Sequence, residues 1–131
     1  MGISNHMRPA PRAESDAGFV AEVTLHDQSL GVSAVPDLDG NSDPGGISRI
    51  VNPVTAKPNM TAVLAAVEAK SATDADALST AVLAGGEECF KRLNSIKSDC
   101  SFLLACRVPC DQPLHILHSG CAFSGQTEEV K

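Results

Sequence analysis

The stretch SATDADALSTAVLAGGEE, residues 71–88, is a helix written in residue preferences. Ala and Leu dominate residues 71–84, and the pair Gly85-Gly86 then supplies a C-cap. A second helix is expected over Glu87 to Ile96, because Glu87 and Glu88 fall in a first turn, where the helix dipole favours anions. Just before the motif, Thr61 to Ala69 (TAVLAAVEA) reads as helix on Ala content and as strand on position. A Pro58-Asn59 turn on one side and a capped helix on the other make it a strand.

Outward from this centre the chain is extended. Ser101 to Arg107 and Leu114 to Ser119 read as two closing strands around a Pro109–Pro113 turn. Upstream, Phe19, Ala21, Val23 and Leu25 alternate with Val20, Glu22, Thr24 and His26, the period of a half-buried strand. Ser29 to Ser33 follows as a candidate partner for it. Residues 36–46 (PDLDGNSDPGG) form a loop, Ile47 to Val51 resumes extended character until Asn52-Pro53 stops it, and Lys57-Pro58-Asn59 is a further break. The order predicts an α+β fold of antiparallel strands layered with two helices. Residues 1–18 are expected to be a flexible lead-in, 19–125 the domain and 126–131 a tail.

Composition narrows the functions. A length of 131 residues suits one domain, and with four Phe, no Tyr and no Trp its core must be built from Val, Leu, Ile and Ala. A net charge of −6 argues against a nucleic-acid partner, whose phosphates demand clustered positive charge. No apolar run approaches the roughly 18 residues of a membrane span. Residues 1–18 hold no signal-peptide core, so an intracellular location with reduced thiols is expected for Cys89, Cys100, Cys106, Cys110 and Cys121.

Two constellations carry chemistry. Asp76 and Thr80 stand four apart on the helix, which places their side chains about 5–6 Å from each other on one face. A carboxylate and a hydroxyl so placed suit Mg²⁺, which takes oxygen ligands and keeps several waters. The same residues also admit a purely structural reading, in which Thr73 and Asp76 form a capping box and Thr80 bonds back to a carbonyl. The second constellation, Cys106, Cys110, His115, His118 and Cys121, offers zinc-type ligands at spacings that fit no standard finger. If residues 114–119 form a strand, His115 and His118 face opposite ways and cannot share a metal. The acidic loop at Asp37, Asp39 and Asp43 begins like a calcium loop but has no Glu at the twelfth position, so it reads as a solvated loop.

Residues 71–88 closely resemble the helix motif of the ApbE family, the FAD:protein FMN transferases, approximately S-A-T-x-A-D-A-L-A-T-A. Arg49-Ile-Val-Asn-Pro-Val-Thr-Ala56 lies where that family has H-I-I-D-P-R-T-G, and Leu30-Gly-Val-Ser-Ala34 resembles its L-A-T-S-G strand end. Arg49, Asn52, Val54 and Ala56 thus stand in place of His, Asp, Arg and Gly, while Pro53 and Thr55 are kept. The resemblance covers roughly residues 19–125 and implies part of an ApbE-like, T-fold-related domain matching a carboxyl-terminal portion of the family. It implies Asp76 and Thr80 as ligands of Mg²⁺, and Ser33 and Thr55 as groups lining the cofactor site. It further implies FAD as substrate and a Thr or Ser of a target flavoprotein as acceptor. The alternative is a catalytically inactive remnant, a flavin-binding or protein-interaction module associated with fumarate-reductase-type proteins.

Overall fold

The structure, a computed structural model, describes residues 2–4, 19–35, 51–58, 61–108, 114–125 and 128–129. The one helix among these described residues, α1, runs from Ala72 to Ile96. Ser71 is the N-cap: its backbone is extended, and its hydroxyl accepts from the Asp74 backbone N–H at 3.3 Å. The cap therefore pairs Ser71 with Asp74, not Thr73 with Asp76 as the spacing alone allowed. The two expected helices are a single element, interrupted at Gly86, whose φ of 69° and ψ of −152° are not helical. That backbone region is open essentially to glycine alone, so the anticipated break is real while the elements on either side stay joined.

The strands are β1 (Gly2–Ser4), β2 (Phe19–Val23), β3 (Ser29–Ala34), β4 (Val51–Asn52), β5 (Lys57–Pro58), β6 (Ala62–Ala69), β7 (Ser101–Cys106), β8 (His115–Ser119), β9 (Phe123–Ser124) and β10 (Glu128–Glu129). Five of them form one sheet in the order β10-β8-β7-β6-β3, antiparallel except for the β10–β8 pair. Strand β6 is apolar nearly throughout, because the sheet is covered on both faces. On one face Ala65, Val67, Phe102 and Leu104 pack against Ala75, Val82, Leu83 and Phe90 of α1. On the other, Leu64, Ala66, Leu103 and Ala105 meet Ala21, Val23 and Phe123. A bulge between Ala62 and Leu64 lets β6 send both Val63 and Leu64 to this second face.

Strand β2 does not pair with β3 as its proximity in sequence suggested. It pairs with β1 and β9 in a second, three-stranded antiparallel sheet. Between β2 and β3, Asp27 takes a left-handed conformation at φ 49°, and the Thr24 N–H donates to the Ala122 carbonyl at 2.9 Å. Those features turn the chain from one layer to the other. The α+β class holds: helix, five-stranded sheet, three-stranded sheet. The expected lead-in contributes β1 at its start, and the expected tail contributes β10. No described helix is long and apolar enough to cross a membrane.

Candidate functional site

The site lies where the first half of α1 crosses β3. Gly31 makes the crossing close: a Cβ there would run into the backbone of Ala75 and Asp76. Two residues on, and so on the same face of the strand, Ser33 reaches the helix. Its hydroxyl oxygen is 2.8 Å from that of Ser79 and 3.2 Å from that of Thr80. Ser79 and Thr80 both donate back to the Asp76 carbonyl oxygen, at 3.0 Å and 3.1 Å. Ser79 is fully buried, whereas Asp76 and Thr80 are exposed. Three of the four residues singled out in the sequence are thus gathered: Ser33, Asp76 and Thr80.

Ser79 was missed by the sequence reading. Its signal was a hydroxyl set into the buried stripe Ala75, Ser79, Val82, Leu83 and Phe90, a position where an apolar residue costs less unless the polar group is used.

Thr55, the fourth, shares no hydrogen bond with this cluster among the described residues and sits on the hairpin of β4 and β5, which corrects the reading of Lys57-Pro58-Asn59 as a simple break: Val51 pairs with Pro58 and Asn52 with Lys57. The side-chain oxygen of Asn52 accepts from the N–H groups of Val54 at 2.9 Å and Thr55 at 3.4 Å, and the Ala56 N–H donates to the Asn52 carbonyl at 2.8 Å. Ala56 takes a left-handed φ of 56°. The Thr55 hydroxyl accepts from the Lys57 N–H at 3.4 Å, so Thr55 is tied into its own hairpin and stays exposed. Arg49 lies outside the described residues.

The cysteine–histidine window does not assemble. His115 is paired with Cys106 and His118 with Leu103 on adjacent strands, so the two histidines face opposite sides of the sheet. Cys106 is buried in the helix-side core, and burial, followed by the nearby Glu87 charge, pushes its thiol up to about 11, well away from the thiolate a metal needs. Cys121 is exposed, and Cys110 lies outside the described residues. Among the described residues no three His, Cys, Asp or Glu side chains converge as a metal site. The acidic loop of Asp37, Asp39 and Asp43 also lies outside them. Glu87, near this window, is held below the usual carboxylate range by its hydrogen bond from Lys91, at 2.8 Å.

The donor chemistry around Thr80 fits a hard cation. It consists of oxygen alone, the Ser33, Ser79 and Thr80 hydroxyls around the Asp76 carbonyl, and the exposed Asp76 carboxylate one helical turn before Thr80 has no hydrogen bond or ion pair among the described residues. The hydroxyls are also short of protons. Ser33, Ser79 and Thr80 carry three protons between them for four oxygen–oxygen contacts, so one contact always places lone pair against lone pair. A cation or an outside donor relieves that mismatch. Fold and site together define a layered α+β protein with an all-oxygen, hydroxyl-rich site at a helix–strand crossing. No protein-family model and no curated protein matches the chain.

Proposed function

We propose that the chain is an FAD:protein FMN transferase of the ApbE type, moving FMN from FAD to a Thr or Ser hydroxyl of a flavoprotein with Mg²⁺. The observation that carries the reading is the approach of Ser33 to Thr80 at 3.2 Å across 47 residues of sequence, with Asp76 one turn earlier on the same helix. Two motifs that resemble the family separately in sequence are neighbours in space. The hairpin adds support. Ala56 is left-handed where the family pattern has Gly, and Asn52 accepts from two backbone N–H groups, as the Asp of that pattern equally could.

In the reaction the acceptor hydroxyl oxygen bonds to the FMN phosphorus, the pyrophosphate bond breaks, AMP leaves and the hydroxyl proton is lost. Asp76 would hold Mg²⁺ through its carboxylate and Thr80 through its hydroxyl. When bound, the cation neutralises charge on the pyrophosphate. Ser33 lines the site beside Thr80, and Thr55 would line it from the hairpin, whose strand β4 touches α1. The exposure of Asp76 and Thr80 leaves both open to a ligand from solvent.

The test pairs chemistry with binding. AMP release from FAD, with Mg²⁺ and a threonine-bearing acceptor, is expected from the full chain and not from Asp76→Asn. Millimolar Mg²⁺ is expected to raise the Tm of the wild type alone, while the metal-free Tm is the same or higher in Asp76→Asn. A wild-type Tm indifferent to Mg²⁺ refutes the cation site.

Val54 favours a second reading. It is 90% exposed at the hairpin turn, where the family pattern has Arg, and an apolar side chain there suits protein contact better than phosphate binding. On that reading the chain is a non-catalytic flavin-binding or interaction module associated with fumarate-reductase-type proteins. Mg²⁺-dependent quenching of FAD fluorescence without AMP release distinguishes it.

A further inference from the structure

We propose that Ser79 is a positioning residue that takes the single Ser33 proton and so keeps the lone pairs of Thr80 open to a divalent cation. The inference rests on the reading of Asp76 and Thr80 as cation ligands. Its basis is the proton count within the cluster. The Ser33–Ser79 contact of 2.8 Å is at the usual O–H···O distance, whereas the Ser33–Thr80 contact of 3.2 Å lies beyond it. Ser79 spends its own proton on the Asp76 carbonyl, at 3.0 Å, so the proton between Ser33 and Ser79 belongs to Ser33.

That assignment leaves Ser33 with nothing to give Thr80. Thr80 directs its own proton to the Asp76 carbonyl, at 3.1 Å, or to Ser33. In either arrangement both lone pairs on the Thr80 oxygen remain unclaimed. Without the Ser79 hydroxyl, the Ser33 proton loses its acceptor, and the oxygen of Thr80 is the neighbouring hydroxyl left to it. Thr80 then arrives at the cation already accepting a hydrogen bond, which must break before the ligand can bind. Burial explains why Ser79 can hold this direction: its oxygen is fully enclosed between helix and sheet, so water does not reach it to take the place of Ser33 as donor.

The experiment titrates Mn²⁺ into the full chain, following the free-ion electron paramagnetic resonance signal, with Mg²⁺ as competitor. Ser79→Ala is expected to bind about threefold to tenfold more weakly than wild type, the equivalent of one hydrogen bond broken on binding. Adding Ser33→Ala to Ser79→Ala is expected to restore the affinity, because the competing proton is gone. The metal-free Tm of each variant verifies that it is folded. Equal affinity in Ser79→Ala and wild type overturns the proposal and leaves the cation site standing. A double variant as weak as Ser79→Ala also overturns it, because the loss then comes from packing. A wild type that binds no Mn²⁺ overturns this proposal and the cation reading together.

Discussion

Before Gly86, helix α1 offers the sheet Ala75, Ser79, Val82 and Leu83; after it, the buried contact is Phe90, with Leu93 beside it. The second half is held by side-chain area. Phe90 is fully buried and meets Phe102 edge-to-face, with ring centroids 6.3 Å apart. The opening turns of the first half, ahead of the buried Val82 and Leu83, are held by proximity of backbone, with Gly31 under Ala75 and short hydroxyls filling the gap. Apolar residues at those hydroxyl positions would bury more apolar surface, so the first half gives up stability that the second half supplies. A polar seam in an otherwise apolar interface is where ligand chemistry can be placed without dismantling the core.

The largest effect is expected from Phe90→Ala, which should cost about 4 kcal/mol by urea unfolding, for the lost burial and the cavity left behind. Because this residue serves only the second half, the Mg²⁺-dependent rise in Tm should survive. Loss of that rise would show that the halves are not independent. Gly31→Ala should cost about 3 kcal/mol, since the new methyl collides with main chain that cannot turn aside. Here the Mg²⁺ response should survive, because both ligands, Asp76 and Thr80, sit on the helix, and separating β3 takes the Ser33 proton away from Thr80. A variant that loses the Mg²⁺ response while staying folded would make Ser33 itself part of the cation site.

Much of this arrangement was legible in the sequence. The helix, its break at the glycine pair and the strands at Phe19, Ser29, Thr61, Ser101 and Leu114 follow from local preference and period. Pairing was harder to read. Nothing in the alternation of Ala21 and Val23 says which sheet they cover, because a strand buried on one face looks the same in either layer. The partner of β3 was β6, reached across 27 intervening residues, 35–61. In the site, spacing brought out Asp76 and Thr80, and resemblance added Ser33. Ser79 escaped because its signal, a hydroxyl within the apolar stripe of the helix, names no partner until the helix is set against a particular strand.

The smallest expected effect concerns the cap. Spacing allowed Thr73 and Asp76 to form the capping box, which would have tied the Asp76 carboxylate into the helix start. The structure gives that task to Ser71, whose hydroxyl accepts from Asp74, with Asp74 itself in the first turn where the dipole favours it. Ser71→Ala should therefore cost about 1 kcal/mol, while Thr73→Ala should be close to silent. Both should keep the full Mg²⁺ response, because neither touches the seam between Ser33, Ser79 and Thr80. The reverse order of costs would put the cap back at Thr73 and draw Asp76 into it. Asp76 would then be a structural carboxylate, and the polar first half of α1 would lose the anionic group that makes it a site.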